Sequence, residues 1–251
     1  MPFAANLHYL QHRAAADSPA VVLIHGAGGN ALSWTPNLRR LPNAHTLAID
    51  LPGHGKSTGI CHSIEDLTAA LLDFLAQMDL PPALLVGHSM GGAIALMAAL
   101  LAPQRVAALG LLATSARLKV APQILEQTAT PDTFADAVQT VVQASFSPQV
   151  DTAIKTLAAQ RMAETPPPVL HADFTACNAF DVRVRLPEIT VPTLILCGTA
   201  DLMTPPRFSE AMAQAIPKAR LHLLPNAGHM LMLEQPQAVA QHLQTFLADL
   251  P

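Results

Sequence analysis

Short apolar runs of strand length recur along the chain and alternate with longer segments of helical pattern. These runs contain few charges and lie at 20–24, 45–49, 83–86, 106–112, 193–197 and 220–224. Strands buried on both faces read as continuous apolar runs, and their alternation with helices is typical of a parallel sheet covered by helices. The pattern therefore predicts an α/β protein with a mostly parallel, doubly wound sheet. A further run at 6–12 is consistent with an antiparallel edge strand.

Several predicted helices carry their own boundary signals. Ser63 is followed three residues later by Asp66, which resembles a capping box before an apolar helix. Thr204-Pro205 predicts another helix start, with Pro205 in the first helical position. Residues 235–250 have apolar side chains at spacings of three and four. That spacing predicts an amphipathic helix packed against the sheet.

Residues 116–186 interrupt the alternation, because they contain helix-like pieces separated by prolines and little that reads as strand. We interpret them as a helical cap inserted into a core made of residues 1–115 and 187–251. Such an insertion lies over the carboxyl ends of parallel strands, where ligand crevices form. The alternative is that these helices only enlarge the core.

Composition narrows the class of protein. The chain has 251 residues, of which 51% are hydrophobic and 13% are charged, with a formal net charge of -4. A chain of this length buries a core without disulfides. The three cysteines are dispersed, which favours a reduced protein. No export-signal pattern is found, so a cytoplasmic location is expected. The mild acidity without a basic cluster argues against a nucleic-acid partner. Prolines and a glycine pair interrupt the uncharged stretch 80–104, so we expect no membrane span.

The candidate chemistry begins at residues 87–91, Gly-His-Ser-Met-Gly, which fit the pattern G-x-S-x-G between a predicted strand and a predicted helix. A nucleophile on such a tight turn needs glycines on either side, because a side chain there would clash with the close-packed backbone. The turn lifts the Ser89 hydroxyl out of the sheet and places it near a helix amino end. Ser89 is therefore the candidate nucleophile rather than an ordinary turn serine.

A serine nucleophile needs a base, and the base needs an orienting acid, in the chain order serine, acid, histidine. Asp201 follows the predicted strand at 193–197, and His229 follows the predicted strand at 220–224. Each residue alone would be unremarkable, but their joint order predicts a triad of Ser89, Asp201 and His229.

The small residues at 25–29, His-Gly-Ala-Gly-Gly, follow another predicted strand. An acyl-transfer oxyanion needs two preorganised donors, and we assign them to the backbone N-H groups of Ala27 and Met90. The run matches neither dinucleotide nor P-loop patterns, so no nucleotide cofactor is expected. No ligand spacing among the histidines and cysteines predicts a metal.

With these residues, the chain resembles the α/β-hydrolase superfamily. The similar motifs are HGAGG at 25–29, DLPGHGKS at 50–57, GHSMGG at 87–92, GTAD at 198–201 and AGH at 227–229. The resemblance implies Ser89 as nucleophile, His229 as general base and acid, Asp201 as orienting acid, and Ala27 and Met90 as the oxyanion hole. It also implies that the insertion is a cap, and the short amino terminus suggests one strand fewer than the usual eight.

The remaining candidates are assigned mainly structural roles. His25, His88 and Asp50 lie close to the motifs but are not chosen as base or acid. Cap residues that could touch substrate, although packing is the expected role, are His171, Asp173, Phe134, Phe146, Met162, Phe174 and Phe180. Three cap arginines could bind a carboxylate, although a surface role is expected: Arg161, Arg183 and Arg185. Three cysteines are treated as bystanders: Cys61, Cys177 and Cys197.

The sequence therefore predicts a serine hydrolase that cleaves a carboxylic ester, or a related acyl bond, of a small to medium, mainly apolar substrate through an acyl-enzyme. Three other hypotheses remain. A carbon-carbon hydrolase or lactonase would use the same triad on an acidic substrate, with arginines lining the pocket. A lyase or perhydrolase would need a changed oxyanion hole, and a non-catalytic ligand-binding protein would keep the fold without turnover.

Overall fold

The computed structural model describes residues 2–15 and 18–250. Its strands are β1 (Phe3–Ala4), β2 (Leu7–Arg13), β3 (Ala20–Ile24), β4 (His45–Ile49), β5 (Ala83–His88), β6 (Val106–Leu112), β7 (Thr193–Gly198) and β8 (Ala219–Leu224). In the described residues they form one eight-stranded sheet in the order β1-β2-β4-β3-β5-β6-β7-β8. The pairs β1 with β2 and β2 with β4 are antiparallel, and all other neighbours are parallel. The predicted mostly parallel α/β sheet is confirmed.

The amino-terminal edge of the sheet differs from the prediction. The run expected at 6–12 forms β2, but the two-residue strand β1 lies outside it, with Phe3 opposite His8 and Ala4 opposite Leu7. The expectation of one strand fewer than eight is therefore wrong. A strand of two residues shows no alternation of apolar and polar positions, so no pattern in the sequence could reveal it.

The α-helices of the described residues are α1 (Ile64–Gln77), α2 (Met90–Leu101), α3 (Pro122–Thr128), α4 (Phe134–Ser145), α5 (Thr152–Ala163), α6 (Pro167–Ala179), α7 (Pro206–Ala215), α8 (Leu231–Glu234) and α9 (Pro236–Ala248). Ser63 Oγ accepts the Asp66 N-H at 3.0 Å, which confirms the predicted start of α1. Helix α7 begins at Pro206, with Pro205 as its cap, one residue later than predicted. No helix in these parts of the chain is long and apolar enough to cross a membrane.

Helices cover both faces of the sheet. Apolar side chains of α1, α2 and α7 pack with Val22, Ile24 and other sheet residues in one cluster. Side chains of α9 pack with Val21, Leu23 and Trp34 in a second cluster on the opposite face. Because successive side chains of a strand point to opposite faces, the fully apolar run of β3 supplies both clusters.

The predicted insertion forms α3 to α6 between β6 and β7. These helices share an apolar cluster of their own, which includes Val141, Phe146 and Leu170. That cluster also contacts Ala27 after β3, Met203 after β7 and Met230 after β8. The insertion therefore lies over loops that follow the carboxyl ends of three strands.

Candidate active site

Ser89 occupies a strained turn between β5 and α2. Its backbone has φ +52° and ψ -116°, a left-handed conformation that non-glycine residues rarely adopt. A Cβ on Gly87 would collide with the Gly91 carbonyl, and a Cβ on Gly91 would collide with the Ile24 carbonyl. Both glycines are therefore required by close approach of the backbone, as the sequence pattern predicted.

Asp201 and His229 are joined by hydrogen bonds although they follow different strands. His229 Nδ1 lies 3.0 Å from Asp201 Oδ2 and 3.2 Å from Oδ1. A carboxylate can only accept, so Nδ1 is the donor in both hydrogen bonds and Nε2 takes no part in them. Both side chains are buried.

Further donors fix the Asp201 carboxylate. Oδ1 accepts the backbone N-H groups of Met203 and Thr204, both at 2.9 Å, and Oδ2 accepts the Thr204 hydroxyl at 2.8 Å. Burial alone would raise the pKa of the Asp201 carboxyl, but the charge of His229 and the hydrogen bonds from His229 and Thr204 lower this pKa to about 2. Asp201 is therefore ionised at neutral pH.

Ser89 and His229 line the same small cavity, of about 70 Å³, and Ala27 forms part of its wall. Ser89 Oγ makes no hydrogen bond to a group in residues 2–15 and 18–250. The hydroxyl is therefore free to meet a ligand in this cavity, which Asp201 does not line.

The backbone N-H groups of Ala27 and Met90 also remain unpaired within the described part of the chain. A Cβ built on Gly26 would be 3.2 Å from Ser89 Cβ, so the loop after β3 packs directly against the turn that holds Ser89. Met90 is the first residue of α2, where N-H groups have no partner inside the helix. Two free donors therefore lie next to Ser89.

A buried polar network ties the insertion to the loop after β3. Asp173 Oδ2, on α6, accepts the Gly28 N-H at 2.9 Å and lies 2.8 Å from His54 Nε2. The Thr165 hydroxyl, before α6, donates to the Gly28 carbonyl at 3.2 Å. Both polar groups of Gly28 are therefore held by the insertion, one residue away from Ala27.

Asp173 could have been a substrate contact, although packing was its expected role, and the structure buries it in this network. Burial would lower the pKa of the His54 ring, but the Asp173 carboxylate outweighs this effect and raises the pKa. No spacing signal connects His54 in the DLPGHGKS motif with an aspartate on α6, so the pair could not be found from the sequence.

His25 and His88 have structural hydrogen bonds, as expected. His25 donates from Nδ1 to the Gly26 carbonyl at 2.8 Å and accepts the Leu51 N-H at Nε2 at 3.0 Å. His88 Nε2 donates to the His229 carbonyl at 3.0 Å. Burial lowers the pKa of the His88 ring to about 3, with a further contribution from His229. His88 is therefore neutral near pH 7.

Asp50 also has structural contacts. Its carboxylate accepts the Ala31 N-H at 2.7 Å and the Lys56 N-H at 3.0 Å, and it lies 2.7 Å from His8 Nδ1. These contacts join β2 to the loops after β3 and β4. They agree with the expectation that Asp50 supports structure, whereas the carboxylate that meets His229 is that of Asp201.

The other expected cap residues divide between two cavities and the surface. Phe146, Met162 and Arg161 line a larger cavity of about 490 Å³, which Ala27 and Met230 also border. Phe174 and Cys177 line the Ser89 cavity, and burial raises the pKa of the Cys177 thiol. Arg183 and Arg185 pair with acids on the surface and border neither of these cavities. His171 lies 3.1 Å from the Thr128 hydroxyl and does not line the Ser89 cavity.

No group of three or more His, Cys, Asp or Glu side chains within residues 2–15 and 18–250 is placed to hold a metal ion.

The chain is similar to known hydrolases over nearly its whole length. Pimeloyl-(acyl-carrier protein) methyl ester esterase of Photobacterium profundum is 32% identical over 242 residues, which cover 90% of this chain and 94% of that protein. The enol-lactonase from Burkholderia xenovorans LB400 superposes with a TM-score of 0.91 at 27% identity, over 99% of this chain and 100% of that one. A thermophilic esterase gives a TM-score of 0.82 at 29% identity, over 97% and 98% of the two chains.

A family model supports the same relationship. Residues 21–242, which include every motif that borders the Ser89 cavity, match the model described as the alpha/beta hydrolase family. The resemblance predicted from the sequence is confirmed, and the chain belongs to the alpha/beta hydrolase family.

Proposed function

We propose that this protein is a serine hydrolase that cleaves a carboxylic ester, or a related acyl bond, of a small to medium, mainly apolar substrate. The observation that carries this proposal is the His229-Asp201 pair, whose histidine borders the same cavity as Ser89 on its strained turn. A serine, an oriented histidine and an ionised buried aspartate together supply nucleophile, base and orienting acid.

In the first half of the reaction, His229 Nε2 takes the proton of Ser89 Oγ as this oxygen attacks the ester carbonyl carbon. The Asp201 carboxylate, held by Thr204 and Met203, stabilises the imidazolium and keeps the ring oriented. His229 then gives its proton to the departing alcohol oxygen as the carbon-oxygen bond breaks, which leaves an acyl-enzyme on Ser89.

In the second half, His229 removes a proton from water, whose oxygen attacks the acyl carbon. The tetrahedral intermediate collapses, the acid product leaves and the proton returns to Ser89 Oγ. In both halves, negative charge develops on the carbonyl oxygen. The free N-H groups of Ala27 and Met90 are the donors proposed for that oxygen, because they flank Ser89 without other partners.

The apolar character of the proposed substrate follows from the two cavities. Ala27 borders both, and the larger one has apolar walls from Val142, Phe146 and Leu157. Its volume of about 490 Å³ lies in the range of small-molecule sites. The methyl ester esterase and the thermophilic esterase named above are similar over whole chains, which supports ester hydrolysis as the activity.

Lactone hydrolysis is the second candidate activity. It uses the same attack of Ser89 on an ester carbonyl, except that the alcohol stays attached to the acyl group. The observation that favours it is the whole-length similarity to an enol-lactonase at 27% identity. Comparing open-chain esters with lactones of equal carbon number would separate the two activities.

The decisive experiment is hydrolysis of 4-nitrophenyl esters from acetyl to long acyl chains by the parent and by Ser89→Ala. We expect kcat to fall on the order of 10⁴-fold or more in the variant, because the nucleophile is removed. The chain length with the highest kcat/KM would measure the size of the acyl pocket.

Ser63→Ala is the matched control, since Ser63 caps α1 and borders neither cavity. This control should keep the parent turnover. A fluorophosphonate probe should label the parent at Ser89 and leave Ser89→Ala unlabelled. Parent-like turnover in purified Ser89→Ala would overturn the proposal.

A further inference from the structure

Two cationic side chains border the cavity that contains Ser89. Arg117 and Lys119 belong to the segment that follows β6, and both line this cavity together with His229. No aspartate or glutamate side chain lines it in the described part of the chain. The cavity therefore has a one-sided positive charge, although the whole chain has a net charge of -4.

The charge of Arg117 is only weakly compensated. Its nearest carboxylate is Asp181, with Arg117 Nε 3.7 Å from Oδ2. Arg183 holds the same carboxylate much more closely, through Nη2 at 2.7 Å and Nε at 2.9 Å. One aspartate thus faces two guanidinium groups, and its bidentate hydrogen bonds go to Arg183 rather than to Arg117.

Lys119 is exposed and forms no ion pair with any residue in the ranges 2–15 and 18–250. The neighbouring wall of the cavity is apolar, with Phe174 and Phe208 among its residues. A charge beside an apolar wall interacts more strongly with a ligand anion than one surrounded by water, because the local dielectric is lower.

We propose that the substrate carries an anionic group, a carboxylate, which Lys119 and Arg117 bind while Ser89 attacks the ester carbonyl. This inference rests on the proposed ester hydrolysis and adds the substrate class. Arg117, Lys119 and Ser89 line one small cavity of about 70 Å³, so the carboxylate and the ester carbonyl belong to the same part of the substrate. The larger cavity beyond Ala27 would receive the apolar remainder.

Two matched pairs of esters test the proposal and locate the carboxylate. The pair 4-nitrophenyl hydrogen adipate and 4-nitrophenyl hexanoate differs by a carboxylate on the acyl side. The pair 4-acetoxybenzoate and 4-methylphenyl acetate differs by a carboxylate on the alcohol side. We expect kcat/KM of the parent to favour the anionic member of one pair, and this preference to shrink when the salt is raised from about 0.05 to 0.5 M.

Charge-removing variants assign the preference to residues. Lys119→Gln and Arg117→Gln should each lower the ratio of anionic to neutral kcat/KM by about fivefold, mainly through KM, as expected for partly exposed ion pairs. Lys218→Gln removes an exposed lysine outside this cavity and should leave the ratio unchanged. Because the ratio of anionic to neutral kcat/KM is compared, a loss of activity that affects both esters equally cancels.

Arg183→Gln offers a further prediction away from the cavity. It frees Asp181 to neutralise Arg117, so the ratio should fall although no residue lining the cavity has changed. Equal kcat/KM within both pairs for the parent, or ratios that survive both Lys119→Gln and Arg117→Gln, would overturn the inference.

Measuring ligand binding to a variant that cannot turn over tests the anionic substrate class separately from the proposed ester hydrolysis. Ser89→Ala should bind 4-acetoxybenzoate or the adipate ester more tightly than the neutral partner, as measured by calorimetry. If the parent hydrolyses neither ester and no probe labels Ser89, the proposed function fails. If the parent hydrolyses neutral esters and Ser89→Ala shows no preference for either anion, only the anionic substrate class fails.

Discussion

His88 and His229 lie in contact, with ring centroids 4.9 Å apart, but their surroundings give them different chemistry. His229 has a carboxylate at Nδ1, whereas His88 has only the His229 carbonyl at Nε2. An imidazolium at His88 would be buried without a counterion, and burial accordingly lowers the pKa of this ring to about 3. His88 thus remains neutral and adds no charge beside the proposed base.

This difference predicts how stability depends on pH. The pKa of His88 is lower in the folded state than in the unfolded chain, where it is about 6.5. Between these values only the unfolded chain binds the proton, so the free energy of unfolding should fall as pH decreases, with a slope from His88 that approaches about 1.4 kcal/mol per pH unit well below pH 6.5. Urea unfolding of the parent and His88→Gln at pH 7, 6 and 5 measures this slope.

His62→Gln, the same substitution at an exposed histidine, serves as the control and should keep the parent slope. A His88→Gln protein that loses stability on acidification as steeply as the parent would contradict the buried, neutral state of His88.

At the scale of elements, α6 and the loop after β3 form one unit. The two polar groups of Gly28 bind Thr165 and Asp173, and the Asp173 carboxylate is shared with His54. Since Ala27 precedes Gly28 directly, the plane of the peptide that joins them is set by the insertion. The Ala27 N-H lies in the adjoining peptide, between Gly26 and Ala27, so the insertion restrains the proposed oxyanion donor through the Cα of Ala27.

Replacement of Asp173 by Asn should therefore affect both stability and turnover. The substitution removes the charged acceptor that the Gly28 N-H and His54 Nε2 share, which should cost about 2 kcal/mol in the free energy of unfolding. Because the Gly28 N-H loses a charged acceptor, kcat should fall about tenfold with little change in KM. Urea unfolding, and kinetics measured where the variant is fully folded, report the two effects separately.

Asp136→Asn makes the same change at an exposed position of α4 and should have neither effect. Thr165→Val removes the second contact to Gly28 and should lower kcat in the same direction. A kcat of Asp173→Asn equal to that of the parent would show that Asp173 stabilises the fold without positioning Ala27.

At the scale of the whole molecule, the helices of the insertion are bound to the core in two places. Ala176, Cys177 and Phe180 belong to the large cluster on one face of the sheet. The separate cluster of α3 to α6 contacts Ala27 and Met230 of the core loops. We propose that residues 116–186 and the two core segments, 1–115 and 187–251, unfold as one cooperative unit.

Trp34 makes this proposal measurable, because it is the only tryptophan and is fully buried in the core. Its fluorescence reports the core, whereas far-ultraviolet circular dichroism reports all helices, including α3 to α6. We expect the fluorescence and the dichroism transitions to have the same midpoint urea concentration. A dichroism transition that precedes the fluorescence transition would identify the insertion as an independent domain.

The sequence alone determined the elements and the order of the chemical groups. Apolar runs and cap residues marked β3 to β8 and α1, and the G-x-S-x-G pattern located the turn at Ser89. These features depend on neighbours within a few positions, so local patterns encode them. The catalytic roles of Ser89, Asp201, His229, Ala27 and Met90 stay predictions that the variants above would test.

Tertiary structure decided the contacts between distant segments. The pairing of β1, the Asp173 network and the cationic side of the Ser89 cavity have no local signature, since Gly28 and Asp173 are 145 positions apart. Hydrogen bonds and charge effects depend on distances in space, whereas a sequence pattern records only distances along the chain. The groups proposed to react could thus be named from the sequence, whereas the groups proposed to position them and to select the substrate emerged only from the fold.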